Sequence, residues 1–521
     1  MTSPSAPDRA HRVPTGWGGR VRRELADIGY AWSDGVTRWG TLGSVLIMIG
    51  AYGPSTMPNA NIWRDLPVIG LAQTTLPGRI LATGCMLIGV LILLDAWLRL
   101  RPASYHRLVT RGTVWLWSLP LLLAPPLLSF DAFSYAAQGE LVARGLDPYE
   151  VGPGVLGDAF TSQVDQMWRD TPAPYGPLSL QLQHLIVVLT GHQPYLSALL
   201  VRIPAFVGVL LLAIYLPRLA RRIGYDRETT IWLAVLNPLV LLHLVGGAHN
   251  DALMIGLMVW GLWVAAKIHW APAAVIVAAA ASIKQPAAAA VLAVAALHAW
   301  RVGLWRERPS NAAVARYAVG VVGVFSATFA AIGVATGLGF GWITALGVPN
   351  AVRSFLSPVT TLASGLDWVL VRLGIVPDAD IVVPIAQRVG QVSGLLIVTW
   401  LVLRFKAKHP VRTLGWLLLV FVFTGPVVHP WYILWGGLFF AMTESGPLAR
   451  RIVVWATCGL AMYSVVDASW RSSAIAVGVT AAIALVWITT GHDRDLIRDR
   501  DLARGRDSAA GTTGGEPADA G

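Results

Sequence analysis

Long apolar runs recur along almost the whole chain, from about Thr41 to Thr490. Many approach the roughly 20 consecutive apolar residues that a helix needs to cross a bilayer. Only 13% of the 521 residues are charged, whereas a soluble protein usually carries about 25%. The sequence therefore predicts an all-α polytopic membrane protein that forms one lipid-embedded unit.

The basic residues are distributed as they are in membrane proteins. The net charge of +11 alone would suit a nucleic-acid-binding protein. However, Lys and Arg cluster in alternate connections between the apolar runs, which is typical of the cytoplasmic side of a membrane protein. We expect no nucleic-acid partner, and we expect both termini to be cytoplasmic.

About 14 transmembrane helices are predicted, an even number. The short pair 271–283 and 286–300 has an alternative, a single helix kinked at Pro286, which would reverse the orientation of everything downstream. The predicted helices span residues 41–57, 79–99, 113–130, 196–217, 229–246, 252–267, 271–283, 286–300, 312–335, 382–404, 412–428, 431–445, 451–466 and 473–490.

Two long connections, 131–195 and 336–381, fall on the outer side of this topology. The first contains the apolar piece LSLQLQHLIVVLT, which is too short to span and is typical of an interfacial helix. Residues 1–40 are predicted to be a basic cytoplasmic tail, and residues 491–521 a disordered cytoplasmic tail. The catalytic or transport unit would then lie within 41–490.

Four polar clusters interrupt the apolar background, each where a predicted helix meets the outer surface. Ionisable groups beside membrane spans are costly, so each cluster is a functional candidate. The clusters are Asp131 with Ser134, Tyr135 and Gln138; His249, Asn250 and Asp251 in GGAHND; Lys284 and Gln285 in SIKQP; and His429, Trp431 and Tyr432 in VVHPWYILW.

Asp131 follows the apolar run TVWLWSLPLLLAPPLLSF directly. One interpretation is structural, because an acid at this point would cap the segment 133–143 as a helix. The other is chemical: a carboxylate close to lipid would serve as a general base for a bulky hydroxyl acceptor.

The other clusters also allow two interpretations. His249 and Asp251 are expected to bond to each other or to sugar hydroxyls, although a helix cap would account for Asp251. Lys284 is either a phosphate ligand, since a lone ammonium needs a counter-charge, or a side chain that snorkels to water. Arg202 and Arg353 are further phosphate candidates. The HPWY cluster is either a sugar-stacking site or part of an interfacial aromatic belt.

Several other chemistries lack their motifs. No G-x-x-x-x-G-K-[ST] sequence is present, which argues against ATP hydrolysis by this chain. The zinc motif H-E-x-x-H does not occur in the sequence. The two cysteines, Cys85 and Cys458, both lie within apolar runs and do not form a metal-ligand set. We expect no metal and no cofactor.

The motifs together resemble a known family. FDAFSYAAQGELVARGLDPYEVGP (130–153), APYGP (173–177), LNPLVLLHLVGGAHND (236–251) and HPWY (429–432) are similar to the actinobacterial α-(1→6)-mannopyranosyltransferases, over roughly residues 40–490. These enzymes belong to the GT-C class of glycosyltransferases, which use polyprenol-phosphate sugars, and they build the mannan backbone of lipomannan and lipoarabinomannan.

The resemblance implies a GT-C-like membrane fold in the plasma membrane, with the active site on the periplasmic face. It implies polyprenyl-phosphate mannose as the donor substrate and a mannan or phosphatidylinositol-mannoside-type glycolipid as the acceptor. Asp131 takes the position of the catalytic carboxylate, and Tyr175 of APYGP joins the residues expected around the sugars. In many GT-C enzymes this carboxylate follows the first membrane helix, whereas here it follows the third predicted one.

Two rivals remain open from the residues. A transporter or lipid flippase also needs a polar cavity, but it would show polar groups at mid-depth and inverted repeats. A GT-C enzyme with another lipid-linked sugar, such as arabinofuranose, would need the same residue types. The motif resemblance favours mannose.

Overall fold

The computed structural model describes residues 17–58, 61–102, 111–377, 381–405, 409–443, 447–487 and 489. Helices and turns make up this part of the chain, and it contains no β-strand. The predicted tail 491–521 lies outside the described residues, as do the first 16 residues of the predicted tail 1–40.

The N-terminal part contains two helices that the sequence did not predict, residues 17–33 and 67–74. Residues 17–33 of the predicted tail form α1, which packs beside the helix of residues 111–123. Its polar, basic sequence lacks an apolar run, which is why the helix was missed. The elements here are α1 (Trp17–Ser33), α2 (Gly35–Gly50), α3 (Pro67–Thr74), α4 (Leu76–Arg99) and α5 (Arg111–Leu123).

The first predicted outer connection is largely helical. The predicted interfacial helix is present as a helix of 13 residues that packs against the one carrying Asp131. The elements are α6 (Asp131–Ala143), α7 (Ala159–Gln163), α8 (Gln166–Arg169) and α9 (Pro177–Leu189).

The predicted helix 229–246 is broken in its middle. It comprises a short α-helix, Arg227–Thr230, and two π-helical stretches, Ile231–Val235 and Val240–Gly246, bent by 62° at the break. Asn237 and Pro238 lie at that break, and proline cannot donate the backbone bond that would continue the helix. The helices of this region are α10 (Pro194–Leu200), α11 (Arg202–Arg222) and α12 (Arg227–Thr230).

The predicted pair around Pro286 is a hairpin, formed after α13 (Asp251–Lys267) by α14 (Trp270–Ala281) and α15 (Ala290–Val302). The rings of His269, at the start of α14, and His298, near the end of α15, lie 5.0 Å apart. Because the far ends of the two helices meet, the chain reverses between them.

The next helices carry the most exposed apolar surface. On α16 (Asn311–Ala335), Val319 is 76% exposed, and on α19 (Val382–Phe405), Leu403 is 67% exposed. Apolar helix faces that pack against no protein are suited to lipid. Between them lie α17 (Trp342–Ala345) and α18 (Pro358–Arg372), so the second predicted outer connection also contains a helix.

The chain ends its described part with α20 (Pro410–Thr424), α21 (Ile433–Gly437), α22 (Pro447–Ser469) and α23 (Ala474–Trp487). Within the described ranges, five helices are long and apolar enough to cross a membrane, or six with the bent pair. Several predicted spans are shorter helices, α14, α20 and α23 among them. The figure of about 14 membrane helices therefore remains a prediction.

Helices pack closely in the core, and the length of α11 separates the two ends of the molecule. A Cβ atom at Gly256 of α13 would lie 2.3 Å from the carbonyl oxygen of Gly208 on α11, so only glycine permits this crossing. With a rise of about 1.5 Å per residue, α11 separates its first residue, Arg202, from its last, Arg222, by roughly 30 Å. Arg202 lies at the end near Asp131, and Arg222 at the opposite end.

Candidate active site

Asp131 is the first residue of α6 and does not cap it. The N-cap is Phe130, and no side chain makes a cap hydrogen bond at this helix. The chain enters the helix through Leu128, which has a left-handed φ of 59°, a conformation that is costly for a residue other than glycine. Asp131 is nevertheless the acid in the first turn of α6, where its charge suits the positive end of the helix dipole, so the structural interpretation accounts for part of its placement.

The partner of Asp131 is His249. The distance from His249 Nδ1 to Asp131 Oδ2 is 3.3 Å, and the histidine is fully buried. Tyr135 Oη lies 3.5 Å from the same carboxylate oxygen. Burial alone would raise the pKa of Asp131, but the hydrogen bond and charge of His249 lower it to about 2. The carboxylate is therefore ionised at neutral pH and able to accept a proton.

Arg202, a predicted phosphate ligand, is buried and bonds to the protein backbone. Its guanidinium donates to the carbonyl oxygens of Leu122 (2.6 Å), Ala124 (2.8 Å) and Gly246 (2.9 Å). These carbonyls end the two segments that lead to Asp131 and His249. A buried guanidinium with three carbonyl partners has a positioning role, because it fixes one segment against the other.

Trp431 connects His249 to the HPWY cluster. Its indole stacks on His249, with ring centroids 3.7 Å apart, and on His429 at 4.5 Å. Trp431 is only 5% exposed, whereas belt tryptophans lie at the lipid–water interface. Loss of water contact lowers the pKa of His429 to about 4, against the opposing effect of Asp131. His429 is therefore neutral at pH 7.

Lys284 has a counter-charge within the protein. Its ammonium lies 2.9 Å from Asp251 Oδ1, which also accepts a hydrogen bond from the Trp435 indole at 2.6 Å. The ammonium also lies 4.5 Å from the ring centroid of Tyr432. Lys284 is buried, so it does not snorkel to water. The lone ammonium that was expected to need a phosphate is instead half of an ion pair.

Asp251 neither caps its helix nor pairs with His249. It is the first residue of α13, but no side chain caps this helix. It bonds to Lys284 and not to His249, which turns to Asp131 instead. Of the two alternatives for this pair, a mutual bond is therefore wrong, and binding of sugar hydroxyls stays a prediction.

The remaining predicted residues lie around the Asp131–His249 pair and the Lys284–Asp251 pair. Tyr175 meets Tyr135 edge to face at 5.2 Å, and Asn250 donates to Ser179 Oγ at 3.2 Å. Three further polar side chains have buried atoms without a hydrogen-bond partner in the part of the chain described: Ser134, Gln138 and Gln285.

A cavity of about 500 Å³ opens beside Asp131. Of the predicted residues, Asp131, Arg353, His429 and Trp431 line it. Lys284 and Arg202 are not part of its wall. The cavity thus joins an ionised carboxylate, a guanidinium and stacked rings, which are the groups needed to bind a sugar phosphate and to accept a proton.

Several residues of this cavity wall were not predicted, among them Asp165, His243, Asp467 and Arg471. His243, from the second π-helical stretch, lies 5.1 Å from Trp431 and bonds to Ser464 Oγ at 3.0 Å. Arg471, between α22 and α23, brings a second guanidinium to the cavity wall. Arg471 could have been predicted from the sequence, because it lies in an outer connection of the predicted topology. His243 lies within an apolar run and gave no such signal.

Across the described ranges, no group of three or more His, Cys, Asp or Glu side chains is arranged to hold a metal ion. Asp251 bonds to the Lys284 ammonium and the Trp435 indole instead, and Asp131 lies against the His249 ring.

Comparison with known proteins identifies the chain. Residues 37–300 match the model "Alpha-(1->6)-mannopyranosyltransferase, N-terminal domain", and residues 359–491 match the "MptB C-terminal domain". The chain belongs to the alpha-(1->6)-mannopyranosyltransferase family. It is therefore a glycosyltransferase, and its all-α membrane architecture agrees with the GT-C-like fold that the sequence predicts.

The relatives match over most of their length. A probable alpha-(1->6)-mannopyranosyltransferase of Mycolicibacterium smegmatis is 36% identical, over 80% of this chain and 80% of its own. One from Mycobacterium tuberculosis is 34% identical, over 84% and 85%. The alpha-(1->6)-mannopyranosyltransferase B of Corynebacterium glutamicum is 30% identical, over 76% and 71%. No solved structure matches the chain significantly.

Proposed function

We propose that this glycosyltransferase transfers mannose from polyprenyl-phosphate mannose to a mannan acceptor and forms α-(1→6) linkages. The names of its relatives support the sugar and the linkage. The acceptor would be a phosphatidylinositol-mannoside-type glycolipid or a growing mannan, as in the backbone of lipomannan and lipoarabinomannan. The enzyme would work in the plasma membrane, with both termini in the cytoplasm and the cavity open to the periplasm.

The single observation that carries the proposal is the ionised Asp131 on the wall of a large cavity that also holds two guanidinium groups. A hydroxyl oxygen of the acceptor attacks C1 of mannose, and its proton passes to the Asp131 carboxylate. The bond from C1 to the phosphate oxygen breaks, and polyprenyl phosphate leaves with the electron pair. A β-linked donor then gives an α-linked product, with inversion.

The leaving phosphate needs positive charge and no dedicated acid. Arg353 and Arg471 both line the cavity and supply that charge. Preorganised cations at a departing phosphate stabilise the transition state more than the ground state. A single base then suffices, whereas glycosidases use two carboxylates. The lipid-linked sugar is a substrate, and the proposed chemistry needs no cofactor.

A reconstituted transfer assay tests the proposal. Purified protein in liposomes receives labelled polyprenyl-phosphate mannose and a short α-(1→6) mannoside acceptor, and the product is analysed for linkage and anomeric configuration. We expect an α-(1→6)-extended product that depends on both substrates.

Two results would contradict the proposal. Transfer from a polyprenyl-phosphate arabinofuranose donor in place of the mannose donor would assign another sugar. Movement of the labelled lipid across the bilayer without any acceptor-dependent product would assign a flippase.

A further inference from the structure

A second cavity lies at the end of the molecule opposite to Asp131. It has a volume of about 410 Å³ and is bordered by the last residue of α11, Arg222, and by the first residues of α20. The far end of α20 is near the active site, where the Gly425 carbonyl accepts a hydrogen bond from Ser357. Because α20 has 15 residues, its start lies about 20 Å from that end.

The wall of this cavity is strongly basic. Arg222, Arg412 and His409 contribute to it, and among the described residues no Asp or Glu does. In the described ranges, neither Arg222 nor Arg412 forms an ion pair with a carboxylate. Two arginines without an acidic partner around one cavity constitute a site for an anion, and the planar guanidinium matches phosphate in particular.

The start of α20 adds to the positive potential. Pro410 and Val411 border the cavity, and the N-cap, His409, makes no side-chain cap hydrogen bond. The first turn of a helix has N–H groups without intrahelical partners, and its dipole is positive at this end. Anions bind readily at such a position when cationic side chains are also present.

Aromatic rings form the rest of the wall. Tyr225, Trp300 and Trp305 border the cavity, and the guanidinium of Arg222 lies 5.6 Å from the ring centroid of Trp305. The indole N–H of Trp305 is buried and has no partner in the described part of the chain. Tryptophan and tyrosine with arginine are typical of the level of lipid headgroups.

We propose that this cavity, defined by Arg222, Arg412, Tyr225, Trp300 and Trp305, binds a phosphate ester, the headgroup of an anionic membrane lipid or a soluble phosphate. Both sources offer the same chemistry to the arginines and to the start of α20. Basic pockets between membrane helices bind anionic headgroups in this way. The site is separate from the transfer site and does not depend on the proposed reaction.

Native mass spectrometry and thermal unfolding in neutral detergent test this site. One arm adds phosphatidylglycerol, with phosphatidylcholine as the uncharged comparison. The other adds inorganic phosphate or pyrophosphate. The test variant is Arg222→Gln/Arg412→Gln. Its matched control is Arg221→Gln/Arg404→Gln, which removes the same charge from residues that do not border the cavity.

We expect the wild type and the control to retain phosphatidylglycerol in preference to phosphatidylcholine. The test variant should bind it at least about tenfold more weakly, since two charge-assisted hydrogen-bonding partners are lost. Arg222→Lys/Arg412→Lys keeps the charge and should bind with intermediate affinity. The wild type could instead retain no lipid but show a rise in Tm with phosphate or pyrophosphate. If the test variant lacks that rise, the result would support the same site with a soluble ligand.

The proposal is wrong if the test variant retains the lipid and the phosphate response of the wild type. It is equally wrong if the control loses binding to the same extent, because the effect would then be general surface charge. Unchanged transfer activity and Tm of the test variant in neutral detergent would show that the variant is folded.

Discussion

Asp131 and His249 form the contact on which the proposed chemistry depends, since a fully buried imidazole lies beside a carboxylate that is still 19% exposed. The sequence predicted both residues as functional, because polar groups in an apolar background are conspicuous. It did not predict their pairing, which joins positions more than a hundred residues apart. The same limit explains why Lys284 was expected to bind phosphate: its partner, Asp251, lies on another helix.

The pH dependence of transfer tests the role of His249. In the wild type, His429 gains a proton near pH 4 and Asp131 near pH 2, so activity should not fall between pH 7 and about 5. In His249→Gln, burial raises the pKa of Asp131 without opposition from the histidine. The acid limb of kcat/KM should therefore move to higher pH.

His184→Gln is the control for this experiment, because His184 lies on α9 and bonds only to Gln181 among the described side chains. Its profile should coincide with the wild type. An acid limb of His249→Gln at the wild-type position would show that His249 does not keep Asp131 ionised.

Donor binding tests the two cavity arginines. Arg353→Gln and Arg471→Gln should each raise KM for the lipid-linked donor and lower kcat, because the phosphate gains charge in the transition state. We expect a loss of at least about tenfold in kcat/KM for each variant. KM for the acceptor should change little, and an equal effect on both substrates would argue against a phosphate role.

The buried ion pair tests whether Lys284 is structural. Lys284→Met leaves Asp251 buried with one indole donor, which should lower the free energy of unfolding by about 3–5 kcal/mol. The double variant Lys284→Met/Asp251→Leu should recover most of that loss, measured as Tm in detergent. A normal Tm for the single variant, with a raised donor KM, would instead support the original phosphate interpretation.

At the scale of elements, periodicity and apolar length located most helices, because lipid-facing and core-facing runs are both apolar. The longest of the missed helices are α1, which has a basic sequence, and α18, which lies within a predicted connection. The bend at Asn237 and Pro238 was also missed, although proline marks it. The local sequence indicates where a helix ends. It does not indicate which side chain from another element will donate hydrogen bonds to the free carbonyl groups at that end.

Arg202 is the side chain that satisfies such carbonyls, at the ends of two elements. Arg202→Lys keeps the charge but cannot donate to Leu122, Ala124 and Gly246 in one plane. We expect kcat to fall at least about tenfold with donor KM almost unchanged, because the variant misplaces Asp131 and His249. It should also lower Tm.

Arg218→Lys, on the same helix but half-buried and bonded, among the described residues, only to the Ile214 carbonyl of its own helix, is the control and should behave as the wild type. A rise in donor KM of Arg202→Lys without a change in kcat or Tm would return Arg202 to phosphate binding.

On the scale of the whole molecule, the two cavities lie at opposite ends of the helices that connect them. The Asp131 cavity contains the carboxylate and stacked rings, and the other contains arginines and aromatic residues. A lipid-linked donor cannot leave its leaflet, so it must meet the acceptor where Asp131 lies. The orientation predicted from basic residues places that end in the periplasm.

The most direct test of this account is transfer in liposomes that contain the donor, with a membrane-impermeant mannoside acceptor added to one side only. Labelled product should form only when the acceptor is on the side of the Asp131 cavity. Asp131→Asn, which keeps the size of the side chain, should reduce its rate by at least about 10². Asp65→Asn, an exposed carboxylate outside the cavity, should retain the wild-type rate. Near-normal transfer by Asp131→Asn, or product formed from the opposite side, would contradict the account.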